Sequence, residues 1–165
     1  MDADLNAEPG ALDTDGILVR TLRADDLDAI VALDERVVGR SRRCYYEQKV
    51  RDALVPGALK VSLAAECDGA LSGFLLASLF YGEFGIPEPS AVLDTIAVDP
   101  DRRGRKIGKA LLRQLVMNLR ALGIEKVRTE VDWNQFEMLA FLAHRGFRPA
   151  PRICLDLDLS SRDRD

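Results

Sequence analysis

The chain has 165 residues, 47% of them hydrophobic and 30% charged, which suits one soluble domain long enough to bury a core. A net charge of −4 with a pI near 5.1 excludes general nucleic-acid binding through a basic field. Cys44, Cys67 and Cys154 are an odd set, far apart and without metal-ligand spacing, so no metal site is expected.

Residues 1–15 carry Asp2, Asp4, Glu8, Asp13 and Asp15 and no Lys or Arg, which predicts a disordered acidic arm. They lack the basic-then-apolar layout of a secretory leader, and no apolar run reaches the ~20 residues that span a bilayer. The expectation is a cytoplasmic protein with free, small, buried thiols and no membrane partner. One domain is expected over 16–160, followed by a polar tail at 161–165.

Ile17 to Leu22 is β-branched and apolar, so a first strand is expected there. Asp25 stands where it would cap a helix carrying Leu27, Ile30, Val31, Asp34 and Val37 at helical spacing, with Asp34 the polar exception. A second helix is expected from Tyr45 to Leu54, stopped by Val55-Pro56-Gly57. Val61 to Glu66 and Leu71 to Phe80 flank a glycine-containing turn and predict a hairpin. Ile86 to Ser90, with two prolines, predicts a loop, and Val92 to Val98 a buried strand stopped by Asp99-Pro100.

A basic turn over 102–108 then opens a helix to about Leu122, closed by Gly123. A strand over 126–131, a helix over 135–145 and an alternating last strand over 153–159 complete the order β-α-α-β-β-β-α-β-α-β. This is a mixed α/β (α+β) architecture with helices on a sheet.

The turn carries the chemistry. A helix start leaves several N–H groups without intrahelical partners, and the helix dipole adds partial positive charge there. Arg102, Arg103, Arg105, Lys106 and Lys109 add full charges, while Gly104 and Gly108 allow close backbone approach, so the end suits a phosphate or pyrophosphate. A solvated basic turn explains the same residues. The spacing of a P-loop and that of the dinucleotide fingerprint are both absent.

The run Ile96-Ala97-Val98-Asp99-Pro100-Asp101-Arg102-Arg103-Gly104-Arg105-Lys106-Ile107-Gly108-Lys109-Ala110-Leu111-Leu112 resembles the acyl-CoA-binding motif of the GNAT N-acetyltransferases, Arg/Gln-x-x-Gly-x-Gly/Ala after a strand. Arg103 takes the Arg/Gln place and Gly108 the final Gly, whereas Lys106 stands where the family prefers the first Gly. Leu71-Ser72-Gly73-Phe74 and the helix ending in Arg145-Gly146-Phe147 are similar to two further family segments. The resemblance covers roughly residues 17–159.

It implies a mostly antiparallel, twisted sheet flanked by helices. It also implies transfer of an acetyl group from acetyl-CoA to a primary amine: a small molecule, a peptide N-terminus or a lysine. The implied CoA site comprises the strand backbone at Ile96, Ala97 and Val98 and the turn Arg103, Gly104, Arg105, Lys106, Ile107, Gly108 and Lys109. An N–H near Ile96 or Ala97 would hold the developing oxyanion. Asp94 and Glu83 are candidate bases. Many family members carry a Tyr at the position of Leu142 to protonate the departing thiolate, and Tyr81, ahead of Tyr45 and Tyr46, is the candidate substitute.

An acyl-CoA-binding regulatory module with weak or no catalysis is the alternative, and a homodimer is left open. Trp133 reads either as a packed aromatic beside a helix cap or as a wall of the acceptor pocket. His144, at a helix end, reads as structural.

Overall fold

The computed structural model describes residues 16–82 and 84–159, so the acidic arm, Glu83 and the polar tail lie outside the described residues. Two compact units follow one another along the chain, the first ending at Glu130 and the second beginning at Val131.

The first unit contains β1 (Ile17–Thr21), a 3-10 turn (Ala24–Asp26), α1 (Leu27–Val38), α2 (Arg43–Ala53), β2 (Leu63–Cys67), β3 (Ala70–Tyr81), β4 (Pro89–Val98), a second 3-10 turn (Pro100–Arg102), α3 (Ile107–Ala121) and β5 (Val127–Arg128). The strands lie side by side in chain order, antiparallel except for the parallel β4–β5 pair. β4 begins at Pro89, inside the expected loop. A proline is tolerated there because the first residue of a strand need not donate to the ladder.

Successive side chains of a strand point to opposite faces, and β3 uses both. Phe74 and Leu76, with Ala97 of β4, are buried against Ile30, Val31 and Leu33 of α1 and Tyr46 and Val50 of α2. On the other face lies α3, whose buried stripe is Ile107, Ala110, Leu111, Leu112, Leu115 and Leu119. Gly73 marks the closest approach. A Cβ there would stand 2.8 Å from Ile107 Cγ2, 3.1 Å from Ala97 O and 3.3 Å from Leu111 Cδ1. The glycine is there to let helix and sheet touch.

Two buried carboxylates hold the front of this unit. Asp26 accepts from Arg20 Nη1 and Nη2 of β1 at 2.8 and 2.7 Å and from the Arg23 N–H at 2.7 Å. The residue that organises the entry to α1 is therefore Asp26 rather than the expected Asp25. Asp34, the polar exception in the stripe of α1, is 1% exposed. It accepts two hydrogen bonds from Arg42, at 2.8 and 2.6 Å, and one from the Tyr46 hydroxyl at 2.7 Å, stitching α1 to α2. Burial raises its pKa, but the Arg42 and Tyr46 hydrogen bonds outweigh that and hold it below the usual carboxylate range.

The second unit contains α4 (Phe136–His144), closed by Gly146 at φ 91° and by a Phe147 N–H to Leu142 O bond of 3.1 Å. The expected last strand over 153–159 does not form. Alternation supplies two faces but no ladder, and an extended segment becomes a strand only where a second one takes its N–H and C=O groups. Its Ile153, Leu155, Leu157 and Leu159 are all exposed.

Candidate functional site

The site begins at an irregularity in β4. Leu76 of β3 pairs with Thr95, but the next residue, Ala77, pairs with Leu93, so Asp94 is an extra residue with no opposite number. Such a bulge bends its strand and re-aims neighbouring side chains. Here Asp94 and Thr95 both reach α2. The Tyr45 hydroxyl donates to Asp94 Oδ2 at 2.9 Å and stands 3.4 Å from Thr95 Oγ1. The Lys49 ammonium, one turn further along α2, is 3.0 Å from the same Asp94 oxygen and 5.6 Å from the Tyr45 ring centroid.

These contacts set protonation. Burial raises the Tyr45 pKa, and the carboxylate beside it adds to the effect, so the phenol keeps its proton near neutral pH. For Lys49, burial acts against the charged form, but the hydrogen bond and charge of Asp94 outweigh it and the pKa lies above the ordinary lysine value.

Beyond the bulge β4 loses its second neighbour. Ladder pairing with β5 is confined to Ala91 with Val127 and Val92 with Arg128. The last tie is Thr129 Oγ1 to Leu93 O, at 2.8 Å. Among the described residues of the first unit, 94–98 therefore have β3 on one side and no paired strand on the other, an open edge of the sheet. Hydrogen-bonded and non-bonded pairs alternate along an antiparallel ladder. Since Asp99 N–H bonds Ser72 O at 2.9 Å, Ala97 and Thr95 turn their backbone groups to β3, while Ile96 and Val98 turn theirs to the open edge.

The edge runs straight into the basic turn. Gly104 (φ 82°) and Lys106 (φ 63°) both take left-handed backbone. That conformation is the physical reason a glycine is favoured at position 106, and a lysine there costs roughly 1–2 kcal/mol. Helical bonding starts with Ala110 N–H to Lys106 O, 2.9 Å, which leaves the N–H groups of Ile107, Gly108 and Lys109 ahead of the first intrahelical bond.

Two arginines pin this turn rather than line it. Arg36 of α1 bonds Asp99 and Asp101, and Arg102 reaches back to Asp68 Oδ2 at 3.1 Å. Arg103, Arg105, Lys106 and Lys109 are exposed around the helix start.

The remaining sequence candidates are dispersed. Tyr81 pairs with Pro89, five positions along β4 from Asp94 and thus about 16 Å down the strand at ~3.3 Å per residue. Glu83 lies outside the described residues. Tyr46 is buried on Asp34. Leu142 is buried and carries no proton, and the His144 ring turns its Nδ1 to Ala140 O at 2.6 Å. Trp133 is exposed, so it is not a packed aromatic. Of the cysteines only Cys67 is buried, with Cys44 and Cys154 exposed.

Sequence reasoning missed Lys49 and Thr95. Asp34 was legible as an oddity, because a carboxylate within an apolar stripe demands a buried partner. No group of residues with metal-binding geometry occurs among the described residues, and no helix among them is long and apolar enough to cross a membrane.

The family model described as the acetyltransferase (GNAT) family matches residues 25–147. The chain belongs to that family.

Two curated GNAT relatives are mycothiol acetyltransferases from Clavibacter michiganensis and Clavibacter sepedonicus, 31% and 30% identical over 141 residues. The match takes in 82% of this chain and 44% of each relative, so the chain spans less than half the length of those proteins. Among solved structures, the aminoglycoside N-acetyltransferase AAC(6')-Iy in complex with CoA superposes with a TM-score of 0.73 at 19% identity, covering 87% of this chain and 95% of that one. The ribosomal-protein-alanine N-acetyltransferase from Brucella melitensis gives 0.67 at 20% identity, covering 87% and 99%. These two likenesses show the fold.

Proposed function

We propose that this GNAT chain transfers an acetyl group from acetyl-CoA to a primary amine. The observation that carries the reading is the path from the open edge at Ile96 and Val98 to the N–H groups at the start of α3 that precede its first intrahelical bond. An extended, amide-bearing ligand adds to such an edge as a strand would, and its phosphates meet the helix start. The residues present fit the donor: the bulge leaves the edge unpaired, Gly104, Ile107 and Gly108 would offer backbone to a phosphate, and Arg103, Arg105, Lys106 and Lys109 would surround it with positive charge.

Acetyl-CoA, when bound, supplies an activated thioester. Everything else falls to the chain. The N–H at Ile96 or Val98 on the open edge would take the negative charge that develops on the carbonyl oxygen, whereas Ala97, whose N–H faces β3, would hold the strand in place. Asp94 would take a proton from the acceptor, because an amine must be neutral to attack and its ordinary pKa is roughly 10. Tyr45 keeps its proton and stands on Asp94, which makes it a better-placed donor to the departing sulfur than Tyr81. Leu142 has nothing to give.

The alternative, an acyl-CoA-binding module with little catalysis, draws its support from that leucine and from the engagement of Asp94 by Lys49. The acceptor is an amine of a small molecule, a peptide N-terminus or a lysine. The mycothiol, aminoglycoside and ribosomal-protein relatives mark the range to screen.

The test follows free thiol release from acetyl-CoA across a panel of amines and peptides, alongside the thermal melt with CoA. Thiol release that depends on an added amine supports the reading. CoA that moves the melt without any turnover supports the binding module. A melt unmoved by millimolar CoA overturns both.

A further inference from the structure

The fold itself delivers an amine, that of Lys49, to Asp94. Its Nζ is 3.0 Å from Asp94 Oδ2 and lies over the Tyr45 ring, and its side chain is 36% exposed. Asp94 is two residues from Ile96, whose N–H faces the open edge. An amine, a carboxylate in contact with it and, two residues along the same strand, an edge suited to hold an electrophile are therefore neighbours before any external acceptor arrives. The ion pair favours the ammonium, so the proton must pass to Asp94 for the amine to attack.

We propose that Lys49 is a site of self-acetylation, modified within its own chain by the acyl thioester bound on the β4 edge. The inference rests on the reading of that edge as the acetyl-CoA site. The balance is simple. The Lys49 ammonium gives one proton to Asp94 and through it to solvent. The Nζ lone pair then forms an N–C bond to the thioester carbonyl carbon while the C–S bond breaks, and the sulfur leaves with its electron pair and takes up the second amine proton. The products are Nζ-acetyl-lysine and a free thiol, with no further reactant.

The product differs from the starting state in charge. An acetylated Lys49 no longer holds Asp94 as an ion pair, while Tyr45 still donates to it. The modification thus frees the carboxylate for an incoming ammonium, which places Lys49 as an internal occupant of the acceptor position.

The experiment uses the full chain incubated with acetyl-CoA, read by intact mass and by peptide mapping of all five lysines. Lys49 should label about 10²-fold faster than the other four, that being the lower end of what a positioned base contributes. The rate constant should not change with protein concentration, since the transfer is intramolecular. Asp94→Asn should remove the selectivity for Lys49 while leaving the slow background on the other lysines, and Lys49→Arg should remove the fast label altogether.

Equal labelling of the lysines, or a Lys49 rate constant that rises in proportion to protein concentration, overturns the proposal. So does an unmodified Lys49 in protein that readily acetylates an added amine, and that outcome leaves the transferase reading standing. If CoA does not move the melt and acetyl-CoA supports no transfer, both readings fall together. The concentration series needs only the wild-type chain, so it decides the matter even if Asp94→Asn does not fold.

Discussion

The Tyr45 hydroxyl donates to Asp94 at 2.9 Å, joining α2 to the bulge of β4 across 49 residues of sequence. In the proposed reaction the two have separate roles, and kinetics separates them. Asp94→Asn should lower kcat by about 10²-fold or more, the typical contribution of a general base. Tyr45→Phe should lower kcat less, by roughly tenfold, and cost ~1 kcal/mol of stability through the lost hydrogen bond. Both should leave the CoA-induced melt shift intact. A Tyr45→Phe protein with wild-type kcat would show that the phenol only positions Asp94.

Gly73→Ala should destabilise the fold by about 1–3 kcal/mol, the usual range for overpacking. Its Cβ would meet Ile107 Cγ2 at 2.8 Å and Ala97 O at 3.1 Å, and the carbonyl belongs to backbone that cannot rotate aside. Gly73→Val should be worse. Urea denaturation measures both, and a midpoint unchanged by the alanine would show that α3 shifts freely on the sheet.

The turn offers a paired test. Lys106→Gly should hold stability within ~1 kcal/mol of wild type, because relief of left-handed strain offsets the added chain entropy. Lys106→Val, β-branched at φ 63°, should lose about 1–2 kcal/mol or more. In the proposed phosphate site, Gly108→Asp should abolish the CoA effect. Wild type should gain ~2.7 kcal/mol at 100-fold excess over Kd, and Arg103→Ala should retain most of that because neighbouring cations remain. Melts with and without CoA report all four variants.

Acid sensitivity should trace to Asp34 and Asp26. Both carboxyls are lower in pKa in the folded chain than an ordinary Asp, despite the opposing effect of burial. Arg42 and Tyr46 hold down Asp34, and Arg20 and the Arg23 N–H hold down Asp26. A depressed folded pKa gives stability that is fully present above the unfolded value of roughly 4. That stability is lost as pH falls through the folded value. Unfolding free energy should therefore drop below about pH 4. Asp34→Asn should cost about 1.5–3 kcal/mol at neutral pH by removing the charge-assisted hydrogen bonds from Arg42 and Tyr46, and should flatten the acid limb. An unchanged pH slope in that variant would place the acid-sensitive groups elsewhere.

Local pattern alone determined much of this protein. Helical spacing of Leu111, Leu112, Leu115 and Leu119 specifies a helix, and β-branched runs at Ile17 and Val92 specify strands. A basic glycine turn between strand and helix specifies where a phosphate would sit. Each of these depends on residues within a few positions of one another, and so survives in a one-dimensional reading.

Contacts between distant segments were decided only by the tertiary structure. The bulge at Asp94 has no sequence mark of its own, because the extra residue exists only relative to the partner strand β3. Lys49 and Tyr45 become neighbours of Asp94 only when α2 packs over that bulge. Tyr81 and Asp94 look comparable along the chain, yet the hairpin register sets Tyr81 opposite Pro89, far down the strand. The alternation from Ile153 to Leu159 fails as a strand for the same reason. Periodicity is a property of one segment, and a sheet is a property of two.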